Sequence, residues 1–301
     1  MSRSHAVHVP ADPAPLWGTL LLPDSPGPYP ALLLLPGSGP VDRDGNLPGL
    51  ACDSLRLLAE GLAGHGIATL RADKRGIGAS HAAAPDEATL RLDTYVDDAV
   101  RWMDALRADP GVAHAGLLGH GEGALIATLA AQRGVADSLV LLAGAGAPAG
   151  SVILRQLAEA RTPPHLLAAA RGIIARLLRG EAVSDGPDEL AGLFRPAVQP
   201  YLVSWMLRDP AVELACVGCR VLVVQGAEDL QTKVTDARLL AAARPGAALL
   251  VVPGMNHVLK APAEDRAANL ASYADPDMPL AEGLAAGIAA FVLDYVTGHA
   301  A

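Results

Sequence analysis

The stretch Ala115-Gly-Leu-Leu-Gly-His-Gly-Glu-Gly-Ala-Leu-Ile126 changes character in the middle. Ala115 to Leu118 is a short apolar run that ends at Gly119. Gly123 to Gln132 is apolar throughout and reads as a short buried helix. A strand followed at once by a helix needs a sharp turn, and Gly119, Gly121 and Gly123 allow one. The segment therefore reads as one strand-turn-helix unit of a parallel sheet.

The same alternation extends in both directions. Ala31–Leu35, Ile67–Leu70, Ser138–Leu142, Arg220–Val224 and Ala248–Val252 are further apolar runs, and most stop at glycine. Runs without polar alternation suit strands buried on both faces. Helices are predicted from Asp53 to His65, from Thr94 to Ala108 with Thr94 as cap, from Thr232 to Ala243 and from Leu280 to Val296. Ala6–Val9 and Leu16–Leu22 read as an antiparallel ribbon leading into the sheet. The expected fold is α/β with a doubly wound, mostly parallel sheet.

Residues 148–218 break the rhythm. They hold helical runs such as Leu166 to Arg179 and Ala197 to Leu207, broken by Pro163-Pro164 and Asp185-Gly-Pro187, and no clear buried strand. An insertion of that length between two strands reads as a helical cap. The expected division is a core of residues 1–147 and 219–301, with a cap of residues 148–218.

Two chemistries compete for Gly119-His-Gly-Glu-Gly123. Gly119, Gly121 and Ala124 fit the G-x-G-x-x-A form of a dinucleotide fingerprint. That reading needs an acid at the end of the next strand, where this chain has Leu142-Ala-Gly-Ala-Gly-Ala. It also wants the first strand of the sheet, whereas this is about the fifth. The alternative is a nucleophile elbow, G-x-S-x-G, with Gly121 in the serine's place. Its partners should follow in the order acid, then histidine. Gln225-Gly-Ala-Glu-Asp229 puts Asp229 in the loop after one buried strand. Pro253-Gly-Met-Asn-His257 puts His257 in the loop after the next. Taken singly, Asp229 also suits a helix cap and His257 a partly buried loop residue. Leu35-Pro-Gly-Ser-Gly-Pro40 is a glycine loop that can aim backbone N–H groups at a developing oxyanion.

With Pro36–Gly45, Asp73-Lys-Arg-Gly-Ile-Gly-Ala-Ser80, Gly119–Gly123, Gly226–Asp229 and Gly254–His257 in order, the chain resembles the α/β-hydrolase superfamily. The nearest branch is that of bacterial esterases and serine aminopeptidases. The resemblance implies an eight-stranded sheet with a helical cap and hydrolysis of an ester or related acyl bond. It implies that position 121 carries the nucleophile, Asp229 the acid and His257 the base. The oxyanion donors would be the backbone N–H groups of Ser38, or its neighbour Gly39, and of Glu122. Gly121 departs from that pattern, and engineering and natural loss both fit it. Without Oγ no acyl-serine can form. Ser38 and Ser80 lie in neighbouring motifs, but Ser38 belongs to a loop that offers N–H groups and Ser80 to a turn. A catalytically inactive chain that binds a small apolar ligand or a protein partner is the alternative.

Composition narrows the partners. The 301 residues are 51% hydrophobic and only 18% charged, with a net charge of −9. Global disorder is excluded, and so is the basic surface that nucleic acid requires. Three cysteines are too few for a disulfide framework, and Cys216-Val-Gly-Cys219 lacks a second ligand pair for zinc. Asp42-x-Asp-Gly-Asn46 lacks the glycine at loop position six and the terminal glutamate of a calcium loop. Asp42, Arg43 and Asp44, like Asp73, Lys74 and Arg75, read as loop-pinning residues. No segment nears the ~18 apolar residues of a membrane span, and no secretory leader is visible. The expectation is a cytoplasmic protein with no cofactor, no metal, no nucleic-acid or membrane partner, and a small-molecule acyl substrate.

Overall fold

A computed structural model describes residues 3–262 and 265–298. Eight strands form one sheet: β1 (Arg3–Val9), β2 (Leu16–Leu22), β3 (Tyr29–Leu35), β4 (Ala68–Ala72), β5 (Val112–His120), β6 (Ser138–Leu142), β7 (Arg220–Gly226) and β8 (Ala248–Val252). Their order is β1-β2-β4-β3-β5-β6-β7-β8. β1 and β2 pair antiparallel, β2 meets β4 antiparallel, and every later pairing is parallel. This is the eight-stranded α/β-hydrolase sheet, with the expected ribbon at one edge.

The helices are α1 (Ser54–Gly64), α2 (Leu92–Ala108), α3 (Glu122–Ala131), α4 (Ala149–Glu159), α5 (Pro164–Leu178), α6 (Ala191–Phe194), α7 (Gln199–Met206), α8 (Pro210–Ala215), α9 (Val234–Ala243), α10 (Arg266–Ala271) and α11 (Leu284–Gly298). Alternate residues of a strand face opposite sides of the sheet, so each strand feeds two cores. Leu33, Leu117, Leu141 and Val223 pack with α2, α3 and α9. Leu32, Leu34, Leu118, Val140 and Val224 pack with α1 and α11. The outcome is three layers, helices on both faces of one sheet.

Between β6 and β7 lie α4 to α8. Part of this insertion has a core of its own, in which Leu166, Ile173, Ile174, Phe194, Leu202 and Met206 meet. Polar contacts tie it to helices that flank the sheet. Arg155 pairs with Asp236 at 2.6 Å, and Ser204 Oγ accepts from the Leu92 N–H at 2.8 Å. No described helix is long and apolar enough to cross a membrane.

Three local expectations are corrected. Thr94 does not cap α2, which begins two residues earlier at Leu92. Its Oγ1 accepts the Arg91 N–H from inside the first turn at 3.2 Å. Thr232 does not open α9, because its N–H and hydroxyl both turn back onto Asp229. β8 is not buried on both faces: Leu249 and Val251 are 40% and 37% exposed. It is the last strand of the sheet, with only β7 beside it.

Candidate active site

The elbow after β5 is built by close approach. A Cβ on Gly119 would stand 2.1 Å from the Gly123 carbonyl oxygen, and one on Gly123 would stand 2.4 Å from that of Leu35. Neither position tolerates a side chain. Gly121 sits between them with φ +57° and ψ −117°, a conformation that side chains resist. Its N–H donates to the Leu142 carbonyl at 2.9 Å, which fastens the turn to β6. Gly121 itself has room: a Cβ there would meet His257 Nε2 at 3.5 Å and Gly37 Cα at 3.6 Å, ordinary contact distances.

His257 and Asp229 come from the loops after β8 and β7, and both side chains are buried. Nδ1 of His257 lies 2.9 Å from Oδ2 of Asp229. The carboxylate is held on every side. Oδ1 accepts the Gln231 and Thr232 N–H groups at 2.7 and 3.0 Å. Oδ2 also accepts from the Thr232 hydroxyl at 2.9 Å and the Gln225 amide at 3.1 Å. Burial by itself would raise its pKa, but the histidine and these donors outweigh it and hold the group at about 2. Asp229 is thus a carboxylate at neutral pH, and it orients Nδ1–H toward itself. Nε2 of His257 is left to face the space above Gly121.

Ser38, Gly39, Gly121, Glu122 and His257 all border one cavity of about 670 Å³. The N–H groups of Ser38, Gly39 and Glu122 take no protein acceptor among the described residues. Glu122 opens α3, where the first N–H groups of a helix have no intrahelical partner. The opposite wall is the insertion, through Val152, Ile153, Leu202 and Trp205. Ser80 lies away from this cavity. It is fully buried, and its Oγ accepts the Trp17 N–H at 2.8 Å.

Four site residues carry parts that sequence reasoning did not assign. Lys74 donates to the carbonyls of Gly37 and Gly39 at 2.6 and 2.7 Å, so one ammonium straps the glycine loop. Its Nζ lies 3.6 Å from Glu122 Oε2, while burial pushes its pKa down. Tyr201, from α7, donates its phenol to Glu122 Oε1. Burial, then the Glu122 charge, raises the Tyr201 pKa well above the usual range. His120 donates Nε2–H to the His257 carbonyl at 2.8 Å, with the two rings 4.7 Å apart. Gln225 supports Asp229 as described. Lys74 and His120 sit inside quoted motifs, so their positions were visible although their partners were not. Tyr201 lies in the irregular insertion and carried no signal.

Loop-pinning pairs lie next to the site. Arg43 bonds Asp73 at 2.6 Å, and Arg75 grips Asp98 with two nitrogens at 2.9 and 2.7 Å. The described residues contain no cluster of three or more His, Cys, Asp or Glu able to hold a metal ion.

Residues 49–261 match the family model described as "Serine aminopeptidase, S33". Esterase EstD of Thermotoga maritima is 29% identical over 252 residues, which cover 80% of this chain and 57% of EstD. The chain thus spans little more than half the length of that curated relative. Among solved structures, Est1E from Butyrivibrio proteoclasticus superposes with a TM-score of 0.60 at 17% identity, covering 97% of this chain and 99% of Est1E. A proline iminopeptidase from Mycobacterium smegmatis gives 0.65 at 18% identity, covering 98% of this chain and all of that one. Both likenesses are of fold. With the family model matched over well more than half its length, the chain belongs to the serine aminopeptidase S33 family of α/β-hydrolases.

Proposed function

We propose that this chain is a carboxylic-ester hydrolase of the serine-hydrolase type whose nucleophile position is occupied by Gly121. The observation that carries the reading is the placement of His257. Its Nδ1 bonds Asp229 at 2.9 Å, and its Nε2 stands 3.5 Å from where a side chain at position 121 would begin. The N–H groups of Glu122 and of Ser38 or Gly39 serve as oxyanion donors. Residues 148–218 act as a cap that encloses the acyl substrate. Similarity to an esterase supports an ester as the bond cleaved.

Gly121 offers no hydroxyl, so the attacking oxygen is that of water. His257 takes its proton while the backbone donors hold the developing charge. Hydrolases that lose a triad member keep roughly 10³–10⁴-fold catalysis over water. The chain as it stands therefore cleaves activated esters slowly, with no burst and no covalent intermediate. A second reading, a binding protein for a small apolar ligand, draws on the same glycine together with the apolar cavity.

The test is Gly121→Ser. On the ester reading this variant becomes labelled by a fluorophosphonate probe and hydrolyses p-nitrophenyl esters several orders of magnitude faster. His257→Ala abolishes both gains. A folded Gly121→Ser protein that is unlabelled and inactive on every acyl length overturns the reading in favour of the binding protein.

A further inference from the structure

We infer that the chain with Gly121 passes an acyl group directly from an ester to a small apolar primary alcohol. The inference rests on the ester reading and adds an acceptor to it. In an ordinary elbow the attacking CH₂–OH belongs to the protein. Here the chain ends at a Cα, and the neighbours of the missing side chain are at contact distance rather than in its way. His257 Nε2, His257 Cε1 and Gly37 Cα lie 3.5, 3.7 and 3.6 Å from the Cβ point. A ligand's hydroxyl can enter from the cavity and present its oxygen to Nε2 while its carbon chain lies in the cavity, since a non-bonded carbon cannot come as near to the Gly121 Cα as a bonded Cβ does.

The cavity wall selects the acceptor. Its charged groups are already paired: Glu122 with Lys74, Arg195 with Glu87, and Arg75 with Asp98. The remaining surface is mostly apolar, with Val152, Ile153, Leu202 and Trp205 beside the polar Gln156 and Gln231. At about 670 Å³ it lies within the range of cavities that enclose drug-sized ligands. An acyl group and an alkyl alcohol can share it. Each methylene of the alcohol that is buried favours it over water by roughly fourfold.

The transfer balances without a co-reactant. The alcohol oxygen forms a bond to the ester carbonyl carbon as its proton passes to His257 Nε2. The carbonyl π pair moves onto oxygen, which accepts from the N–H groups of Glu122 and of Ser38 or Gly39. Collapse reforms the carbonyl and breaks the bond to the leaving oxygen. Imidazolium Nε2–H returns the proton to that oxygen. Ester and alcohol yield a new ester and a new alcohol, and nothing is oxidised or reduced.

The experiment uses the full chain, pretreated with fluorophosphonate to silence any contaminating serine hydrolase. Nitrophenolate release from p-nitrophenyl butyrate is followed with ethanol, 1-propanol or 1-butanol present, and the alkyl butyrate is quantified by gas chromatography. The expected result is alkyl ester above the buffer partition, rising roughly fourfold per added methylene, with no burst. His257→Ala and, as a second variant of different shape, His257→Gln return the partition to that of buffer. Alkyl ester at the buffer partition for all three alcohols, or equal yield from His257→Gln, overturns the inference. If Gly121→Ser labels and hydrolyses while the native chain forms no alkyl ester, only this inference falls. If neither form acts on any ester, the ester reading falls with it.

Discussion

His257 Nε2 lies 3.5 Å from the point where a Cβ on Gly121 would stand, while Nδ1 of the same ring lies 2.9 Å from Asp229 Oδ2. The ring is aimed at a residue that has no side chain to receive it. The backbone at Gly121 keeps φ at +57°, a value that glycine adopts freely and serine does not. The elbow is therefore set by its neighbours, through the packing of Gly119 and Gly123, rather than by the residue at its tip.

A stability cost for Gly121→Ser follows. The new Cβ meets only ordinary contacts, so the penalty is confined to backbone strain of about 1–2 kcal/mol. Urea denaturation should show a lower midpoint with an unchanged slope. A midpoint equal to or above that of the native chain would mean that the turn is not strained in solution.

Asp229→Asn should separate orientation from charge. The amide oxygen can still accept from Gln231 and Thr232, so the loop keeps its shape. The amide nitrogen cannot accept Nδ1–H, which favours the wrong tautomer of His257. In the Gly121→Ser background kcat should fall by roughly 10⁴-fold at neutral pH. A fall of less than tenfold would show that Asp229 does not orient the base.

The sheet was legible because buried parallel strands are uninterrupted apolar runs, as Ala31–Leu35 and Ser138–Leu142 are. Asp229 and His257 were legible because each follows such a run within a few residues. Edges and ends were not. The exposed face of β8 has the same composition as a buried strand, and only its place in the sheet order sets it apart. Thr232 has the composition of a helix cap, but its hydroxyl is taken by Asp229 three residues back. Lys74 and Tyr201 act through contacts across 35 and 79 residues of chain, which local periodicity does not encode.

Lys74→Met should expose what the strap does. The Gly37 and Gly39 carbonyls lose a shared donor, and the glycine loop is freed to turn its N–H groups away from the cavity. The apolar side chains that line the cavity are unchanged. In the Gly121→Ser background kcat should fall by roughly 10–100-fold with KM nearly constant, as expected for a small misplacement of oxyanion donors. A rise in KM at constant kcat would instead assign Lys74 to substrate binding.

His120 predicts an acid limb of stability that can be isolated. Its side chain is buried, and burial followed by the nearby His257 pushes its pKa down to about 3. In the unfolded chain an ordinary histidine titrates near 6.5. Between those values the unfolded chain binds a proton that the native His120 refuses. Native stability therefore falls as pH drops from about 6.5 toward 3, on the order of 1 kcal/mol per pH unit at most. The slope halves near pH 6.5 and is gone above about pH 7.5. Asp229 acts lower: its pKa is held at about 2, so its contribution is complete above about pH 5 and is lost as pH falls from there toward 2. The window from about pH 5 to 6.5 thus reports His120 with little interference from Asp229. His120→Gln keeps an N–H able to donate to the His257 carbonyl but cannot titrate. Stability of both proteins, measured by urea denaturation at half-unit steps across this window, should diverge toward neutral pH. The native curve should slope upward with pH more steeply than the variant's, by the proton that His120 excludes. Parallel curves would mean that the folded His120 takes up its proton as readily as the unfolded one, and that burial does not lower its pKa.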